Sequence, residues 1–574
     1  MAKRSALFLS AFIPACILAF LAYRYSVNVI YWDGWDYFEI FKKLYETGFN
    51  FSDLLSQNVE SRPFFPRIVI FALSLITHSD VRYEMAFSIF LICLTSFGLY
   101  RIMRSTLDIQ RGWFPVILLA VNALLFSPAQ GYNVLTGHQI VVFMHIACII
   151  GCFAVAYSQR LKELEKHLIC LALCVISTFS MAGGILSWFL IFPVLLLRMK
   201  STMGRKVIIV SCWAAAFLCT MAVYFYKYVT PSIEFAARYA AVLVYPGKAI
   251  TYFLTIMGLP FSLGYLAAAA AAGLFILFMW TSLSAHLLWT ARRDAALLYR
   301  AVGWIMIGSY TIITGLMTTL GRFGFSVDTP FPLPRYTTFS SYLIISLIGL
   351  MALSARDLGR GRYIKKLLLR ASVCFVCIGY IFLFPATFTY GIKMMGIERV
   401  SRLKSKACLS FINVMPDTDA LATEVSLATG TLAGLANFAD NLGYINPPLI
   451  KSRMMSALSG IKRQGSDYGD FNNLEKVDGD TYIAWGWSHL PERNEPADLI
   501  ILAYENRANE SIMFKTTLMT TCEGDAKKRR KESANIWKAP FSKKDLPGDA
   551  VRISAWAYNA LTGKAYWLNN YSVS

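Results

Sequence analysis

Charge is scarce in this chain. Only 16% of its 574 residues are Asp, Glu, Lys or Arg, and 56% are hydrophobic. A soluble globular protein carries about 25% charged and roughly 45–50% apolar residues, so the shortage excludes an ordinary soluble fold over most of the length. The apolar excess is gathered into runs that reach the roughly 17–25 residues needed to cross a bilayer. A CxxC zinc pattern in a polar segment is lacking too, as are a repeat architecture and a long disordered linker. All but two of the 12 cysteines fall in apolar runs, where Cys behaves as a small hydrophobe. Cys408 and Cys522 alone lie in the polar part, and an oxidising compartment would permit them to pair. The first apolar run, residues 6–25, follows Lys3 and Arg4 and is followed by no small-residue cleavage site. It reads as a retained helix rather than a signal peptide.

The charge that is present leans positive, 55 Lys and Arg against 35 Asp and Glu, a net +20. In a soluble chain this would point to nucleic acid. Here the basic residues cluster at helix ends on alternate sides, as the positive-inside rule requires; the expected partner is membrane lipid, with no nucleic acid. Lys3 and Arg4 put the N-terminus in the cytoplasm. Spans over residues 6–25, 83–103, 113–126, 134–157, 167–180, 183–197, 207–226, 264–283, 302–320, 337–353 and 369–388 make about eleven crossings by length. The odd count puts the remainder outside. Residues 64–77 are too short to cross and read as an interfacial helix, as does the Pro260-bearing run 250–261. The short pair 167–180 and 183–197, divided by Met181-Ala182-Gly183-Gly184, reads as thin or re-entrant, with backbone that must line protein or a cavity.

The expected fold is a polytopic α-helical membrane protein with a C-terminal extracytoplasmic β-sandwich-like domain. Residues 1–390 form the membrane domain, 391–470 a helical connector and 471–574 a soluble β-rich domain. Strand candidates run over residues 482–487, 499–504, 512–514 and 551–556, separated by turn residues. Trp485, Trp487, Trp537 and Trp556 recur there, and Trp in a sandwich is ordinarily core. The basic run Lys527-Lys528-Arg529-Arg530-Lys531 reads as a solvated loop.

Polar chemistry concentrates just after the first helix. Tyr31-Trp32-Asp33-Gly34-Trp35-Asp36-Tyr37 sets two carboxylates three residues apart, on one face if helical, among aromatics that either meet a substrate or only anchor the loop. Gln57-Asn58-Val59-Glu60-Ser61-Arg62-Pro63-Phe64-Phe65-Pro66-Arg67 then leads into the interfacial helix. An acidic residue outside the first helix, a loop, a Pro-bearing interfacial helix and a spanning helix together resemble the glycosyltransferase C superfamily. The closest likeness is to its protein mannosyltransferase and aminoarabinose transferase branch, and it extends over residues 1–390.

The resemblance implies a polytopic enzyme of a bacterial inner membrane that takes a polyprenyl-phosphate-linked sugar to a glycan or glycolipid acceptor on the periplasmic face. In that family the acidic residue of the first loop is the catalytic base or helps to bind a divalent metal. Asp33 or Asp36 matches it, and residues 62–77 match the juxtamembrane helix. The family often has adjacent acidic residues there; here Gly34-Trp35 separates them.

Further segments are similar to bacterial O-antigen and envelope members. Ser127-Pro128-Ala129-Gln130-Gly131-Tyr132-Asn133 runs into Thr136-Gly137-His138-Gln139 at an outer helix end, and Arg335-Tyr336 opens the tenth span with Arg322 in the same outer loop. Glu60, Arg62, Arg67, His138, Arg322, Arg335 and Tyr336 are the expected substrate-binding residues, with Arg335 first, and Arg322 or Arg62 in reserve, for the phosphate. A transporter or flippase of a lipid-linked sugar is the main alternative, but it would carry ionisable residues within its spans and paired repeats. An O-antigen polymerase or ligase would place its key residues in a late loop.

Overall fold

A computed structural model of the chain describes residues 9–48, 50–109, 113–199, 202–229, 233–262, 264–325, 327–328, 334–356, 363–426, 429–458, 468–519, 535–548 and 550–572. Cys522 and the basic run 527–531 lie outside the described residues; Cys408 is a buried free thiol. The chain divides into two compact units. The first comprises Met1–Ser26, Phe49–Ala72 and Arg82–Gly396; the second comprises Val27–Gly48, Leu73–Val81 and Ile397–Ser574.

The first unit is a helical bundle. Among the described residues eight helices are long and apolar enough to cross a membrane: Val81–Thr106, Phe114–Val134, Gly137–Ala156, Met203–Phe225, Leu266–Ala291, Ala295–Phe325, Thr337–Ala355 and Leu369–Ser410, the last running on into the second unit. Their starts follow local rules. Pro115 occupies the first turn of one, where a missing N–H costs nothing. Asp294 caps another by accepting from the N–H groups of Ala296 and Leu297 at 2.9 and 3.0 Å. Thr337–Ala355 is 89% buried and sits centrally, whereas Met203–Phe225 is 17% buried and turns its apolar surface outward, as a lipid-facing helix does.

The remaining three of the eleven expected crossings fall short of spanning length among the described residues. Ile13–Tyr25 has 13 residues, Glu163–Thr178 has 16 and Leu186–Arg198 has 13. At 1.5 Å per residue a 13-residue helix covers about 20 Å, against about 30 Å of hydrocarbon. The latter two are a hairpin broken by the turn Ala182–Ile185, where Gly184 packs so tightly that a Cβ would strike the carbonyl oxygen of Ser177. A helix, Phe64–Thr77, occupies the first run expected at the interface. The second such run falls in the helix Pro246–Gly258 and the turn Leu259–Phe261, and that helix packs closely along Leu266–Ala291. A Cβ on Gly258 would collide with the Ala269 carbonyl, and one on Gly273 with that of Leu254.

Among the described residues of the second unit, seven strands form two antiparallel sheets. They are β1 (Gly469–Asp478), β2 (Thr481–Ser488), β3 (Leu499–Glu505), β4 (Ser511–Thr517), β5 (Ile536–Ser542), β6 (Arg552–Asn559) and β7 (Lys564–Ser572). One sheet has the order β1-β2-β5 and the other β4-β3-β6-β7. Phe471, Trp537 and Phe541 from the first meet Ile500, Leu502 and Ile553 from the second in a shared core. The opposite face of the larger sheet, with Ile501, Met513 and Trp556, is covered by Ala407, Phe411 and Val414 and by Ile450 and Met455. Both faces of β3 are thus buried, which explains its unbroken apolar run Leu499-Ile500-Ile501-Leu502-Ala503. The helix Gly34–Thr47 belongs to this unit. Its Phe38 and Phe41 rings lie 6.1 Å from Phe438 and Tyr444 respectively, and the Trp32 N–H donates to the Val425 carbonyl at 2.8 Å.

Replacing Gly258 by Leu is expected to force the Pro246–Gly258 and Leu266–Ala291 helices apart and to cost at least about 2 kcal/mol. Thermal unfolding of the purified protein in detergent checks this; an unchanged midpoint would show that the close approach is not needed.

Candidate functional site

In the second unit Asp33 and Asp36 stand at the start of Gly34–Thr47. Asp33 occupies the cap position without capping, at φ −55° and ψ −15°. The helix is amphipathic, so burying Trp35, Tyr37 and Phe38 leaves both carboxylates exposed. Trp35 is 2% and Tyr37 5% exposed. Of the two roles open to these aromatics, the buried pair serves as anchor.

In the first unit the polar residues before and in the first turn of Phe64–Thr77 do two kinds of work. Arg67, buried, donates from Nη1 to the carbonyls of Leu54 and Ser56 at 2.8 and 2.6 Å. Arg62 donates from Nη1 to Leu55 at 2.7 Å and from Nη2 to Tyr226 at 2.6 Å. Gln57 exchanges two hydrogen bonds with the backbone of Val229, and the Tyr224 hydroxyl donates to the Glu60 carbonyl at 2.7 Å. These contacts staple an irregular loop to the end of Met203–Phe225. Arg62 and Arg67 are therefore clamps on backbone oxygens.

The loop presents Glu60. Its Oε1 accepts from Arg322 Nη2 at 2.9 Å, while Oε2 is enclosed and has no hydrogen-bond partner among the described residues. Arg322 ends the helix Ala295–Arg322, and the following Phe323 meets the Tyr252 ring at 5.8 Å. Burial raises the Tyr252 hydroxyl pKa above the usual phenol range; neighbouring Tyr336 adds to the rise, and Arg335 and Arg322 oppose it. Tyr228 is likewise raised, by burial first and then by Glu60. The Arg335 guanidinium lies 5.7 Å from the Tyr132 ring centre and 5.3 Å from that of Tyr336. Asn133 holds the segment by donating to the Arg335 carbonyl and to the Thr338 hydroxyl, each at 2.9 Å. His138 is buried in the turn Gly137–Gln139, next along the chain from Gly131–Val134, which packs on Pro334–Tyr336.

Glu60, Arg322, Arg335 and Tyr336 thus share one end of the bundle, with Tyr252 between them. Beside it an open groove of about 1070 Å³ is lined by Phe51, Leu55, Val59 and Val223, with Asp53, Arg62 and Lys227 at its charged positions.

Three contributors escaped the sequence reading. Tyr252 lies in a run read as interfacial, and Lys227 in a short loop carrying no motif. Glu84 is buried over Gly137, where a Cβ would meet its carboxylate. An ionisable residue at the head of a spanning run was the available signal for it. No group of three or more His, Cys, Asp or Glu among the described residues is arranged to hold a metal ion.

The two kinds of work separate in stability. Arg67→Ala is expected to cost about 3 kcal/mol, since it removes two bonds from a buried cation. Glu60→Gln breaks a pair whose side chains are 33% and 43% exposed and is expected to cost less than about 1 kcal/mol. Unfolding midpoints in detergent measure both; equal losses would refute the division. Comparison with protein-family models, with curated proteins and with solved structures finds no match to this chain.

Proposed function

We propose that the chain is a membrane glycosyltransferase that moves a sugar from a polyprenyl-phosphate donor to an envelope glycan or glycolipid. The observation that carries this reading is the groove beside the Glu60–Arg322 pair. Its walls are largely apolar, it opens at the end of the outward-facing helix Met203–Phe225, and its charged positions are Lys227, Asp53 and Arg62, the last already holding backbone oxygens. An isoprenoid phosphate has the matching form, an apolar chain with an anionic head. In this reading the bilayer is a bacterial inner membrane and the chain after residue 390 is periplasmic.

The chemistry needs few parts. An acceptor hydroxyl attacks the anomeric carbon of the donor sugar, and its proton passes to a base, for which the family resemblance alone names Asp33 or Asp36. The new bond joins the acceptor oxygen to that carbon. The bond between the carbon and the phosphate oxygen breaks, and its electron pair leaves with the polyprenyl phosphate. The departing anion is held by Arg335, whose planar donors suit phosphate oxygens, with Arg322 as the alternative holder.

The test is transfer from radiolabelled polyprenyl-phosphate sugars to envelope glycan acceptors by the purified protein in detergent. The wild type is expected to transfer. Asp33→Asn or Asp36→Asn is expected to lower the rate by about 10²–10⁴, and Arg335→Ala to lower it by at least about tenfold. Full activity in a folded double Asn variant would remove both carboxylates from the mechanism. Movement of the lipid-linked sugar across vesicles without transfer would replace the enzyme by a transporter.

A further inference from the structure

The sandwich uses its tryptophans in two ways. Trp537 is fully buried between the sheets and Trp556 is buried on the other face of the larger sheet. Trp485 and Trp487 of β2 are only half-buried and join neither core. Strand β2 inverts the usual alternation. Its inward positions carry Ala484, Gly486 and Ser488, all buried, and its outward positions carry Ile483, Trp485 and Trp487. The inward side is small because Trp537 already fills it. A Cβ on Gly486 would stand 2.8 Å from the Trp537 ring and strike the Asp470 carbonyl. Alternate residues of a strand are about 7 Å apart, so the two indoles form a strip along the outer face of the β1-β2-β5 sheet.

The strand register surrounds this strip with polar groups. Asp470 is paired with Trp487, and Trp485 has Asn473 on one side and Lys538 on the other. Glu475 Oε1 accepts from Trp485 Nε1 at 3.3 Å and from Asn473 Nδ2 at 3.0 Å, which orients the indole. Aromatic planes bordered by an amide, carboxylates and an ammonium match a polyol. The C–H face of a sugar ring lies on the indole while its hydroxyls meet the polar border. Charge selects among occupants. Among the described residues, two carboxylates against one lysine leave the strip slightly negative, whereas an anionic lipid surface or a phosphate backbone requires a cluster of cations.

We propose that the outer face of the three-stranded sheet binds an uncharged stretch of a glycan chain, with Trp485 and Trp487 as stacking platforms and Asn473 and Lys538 as hydroxyl partners. The binding stands by itself. Only the further step, that this glycan is the acceptor, rests on the transferase reading.

The experiment titrates the full chain in detergent with dextran, mannan, cellohexaose and chitohexaose. Tryptophan emission and affinity electrophoresis provide the readout. At least one glycan is expected to bind. The Trp485→Ala/Trp487→Ala variant is expected to weaken binding at least about tenfold, the scale of a lost aromatic contact, with near-native unfolding. Lys538→Ala leaves the aromatic surface intact and is expected to weaken the same binding severalfold, so a folding defect in the first variant would not decide the matter. The proposal is overturned if no glycan in the panel alters emission or mobility, or if binding survives both variants. It is also overturned if phosphatidylglycerol vesicles, rather than glycans, bind through these tryptophans. No donor is present, so failure of the platform and failure of the transferase reading are separate results.

Discussion

Backbone carbonyls that no helix can satisfy govern the first unit. In a bilayer or at its edge, an unpaired peptide group costs several kcal/mol, and the loop from Asn50 to Pro63 is largely irregular. Its oxygens at Leu54, Leu55 and Ser56 are taken by Arg67 and Arg62, and the Glu60 carbonyl by Tyr224. Arginine suits the task because its donors are fixed in a fork and its charge persists when buried. The loop consequently has one shape, and that shape places the Glu60 carboxylate against Arg322. The same demand acts at the far side of the bundle end, where Asn133 closes on the carbonyl of Arg335.

This constraint also explains what could be read in advance. Runs of apolar residues between basic clusters are local signals, and eight of the expected crossings have helices of spanning length. Of the other three, the pair 167–180 and 183–197 is parted by a turn where Gly184 packs on the Ser177 carbonyl. Strands β2, β3, β4 and β6 coincide with the apolar or alternating runs. Strands β1 and β7 were missed, because Gly469–Asp478 and Lys564–Ser572 carry many polar residues and take their strand form from neighbours in the sheet. β5 was missed because Pro540 interrupts its pattern; Pro is admissible there because β5 is an edge strand of its sheet.

The site was legible in residue type and less so in role. Arg62 and Arg67 carry the charge a phosphate would need, but sequence cannot tell a phosphate oxygen from a carbonyl oxygen as the acceptor of their donors. Glu60 and Arg322 are 262 positions apart, and only tertiary folding brings them together. Similarly, the segment after the first helix gives no hint that Tyr31 lies 3.5 Å from the Arg402 guanidinium. Trp485 and Trp487 show the converse problem. Their alternation with Ala484, Gly486 and Ser488 is plain in the sequence, but which side is inward depends on Trp537, a residue on another strand.

Polar groups deeper in the bundle separate two kinds of membrane protein. Trp280 donates to the Ser346 hydroxyl at 2.8 Å, and Ser346 donates onward to the Trp304 carbonyl at 2.6 Å. Trp304 itself donates to Thr106 at 3.0 Å, and His145 meets the Tyr310 hydroxyl at 2.7 Å. Each of these contacts joins one helix to another within the bundle, which sets helix register and rotation. A conducting path would instead direct such groups toward a cavity holding water or substrate. The acidic and cationic side chains with capacity to meet a ligand, Glu60 and Arg322 first among them, collect where the helices end. The proposed transfer at the membrane face, with an amphiphile entering from the lipid, would use that distribution; the proposed alternative of passage through the bundle would not.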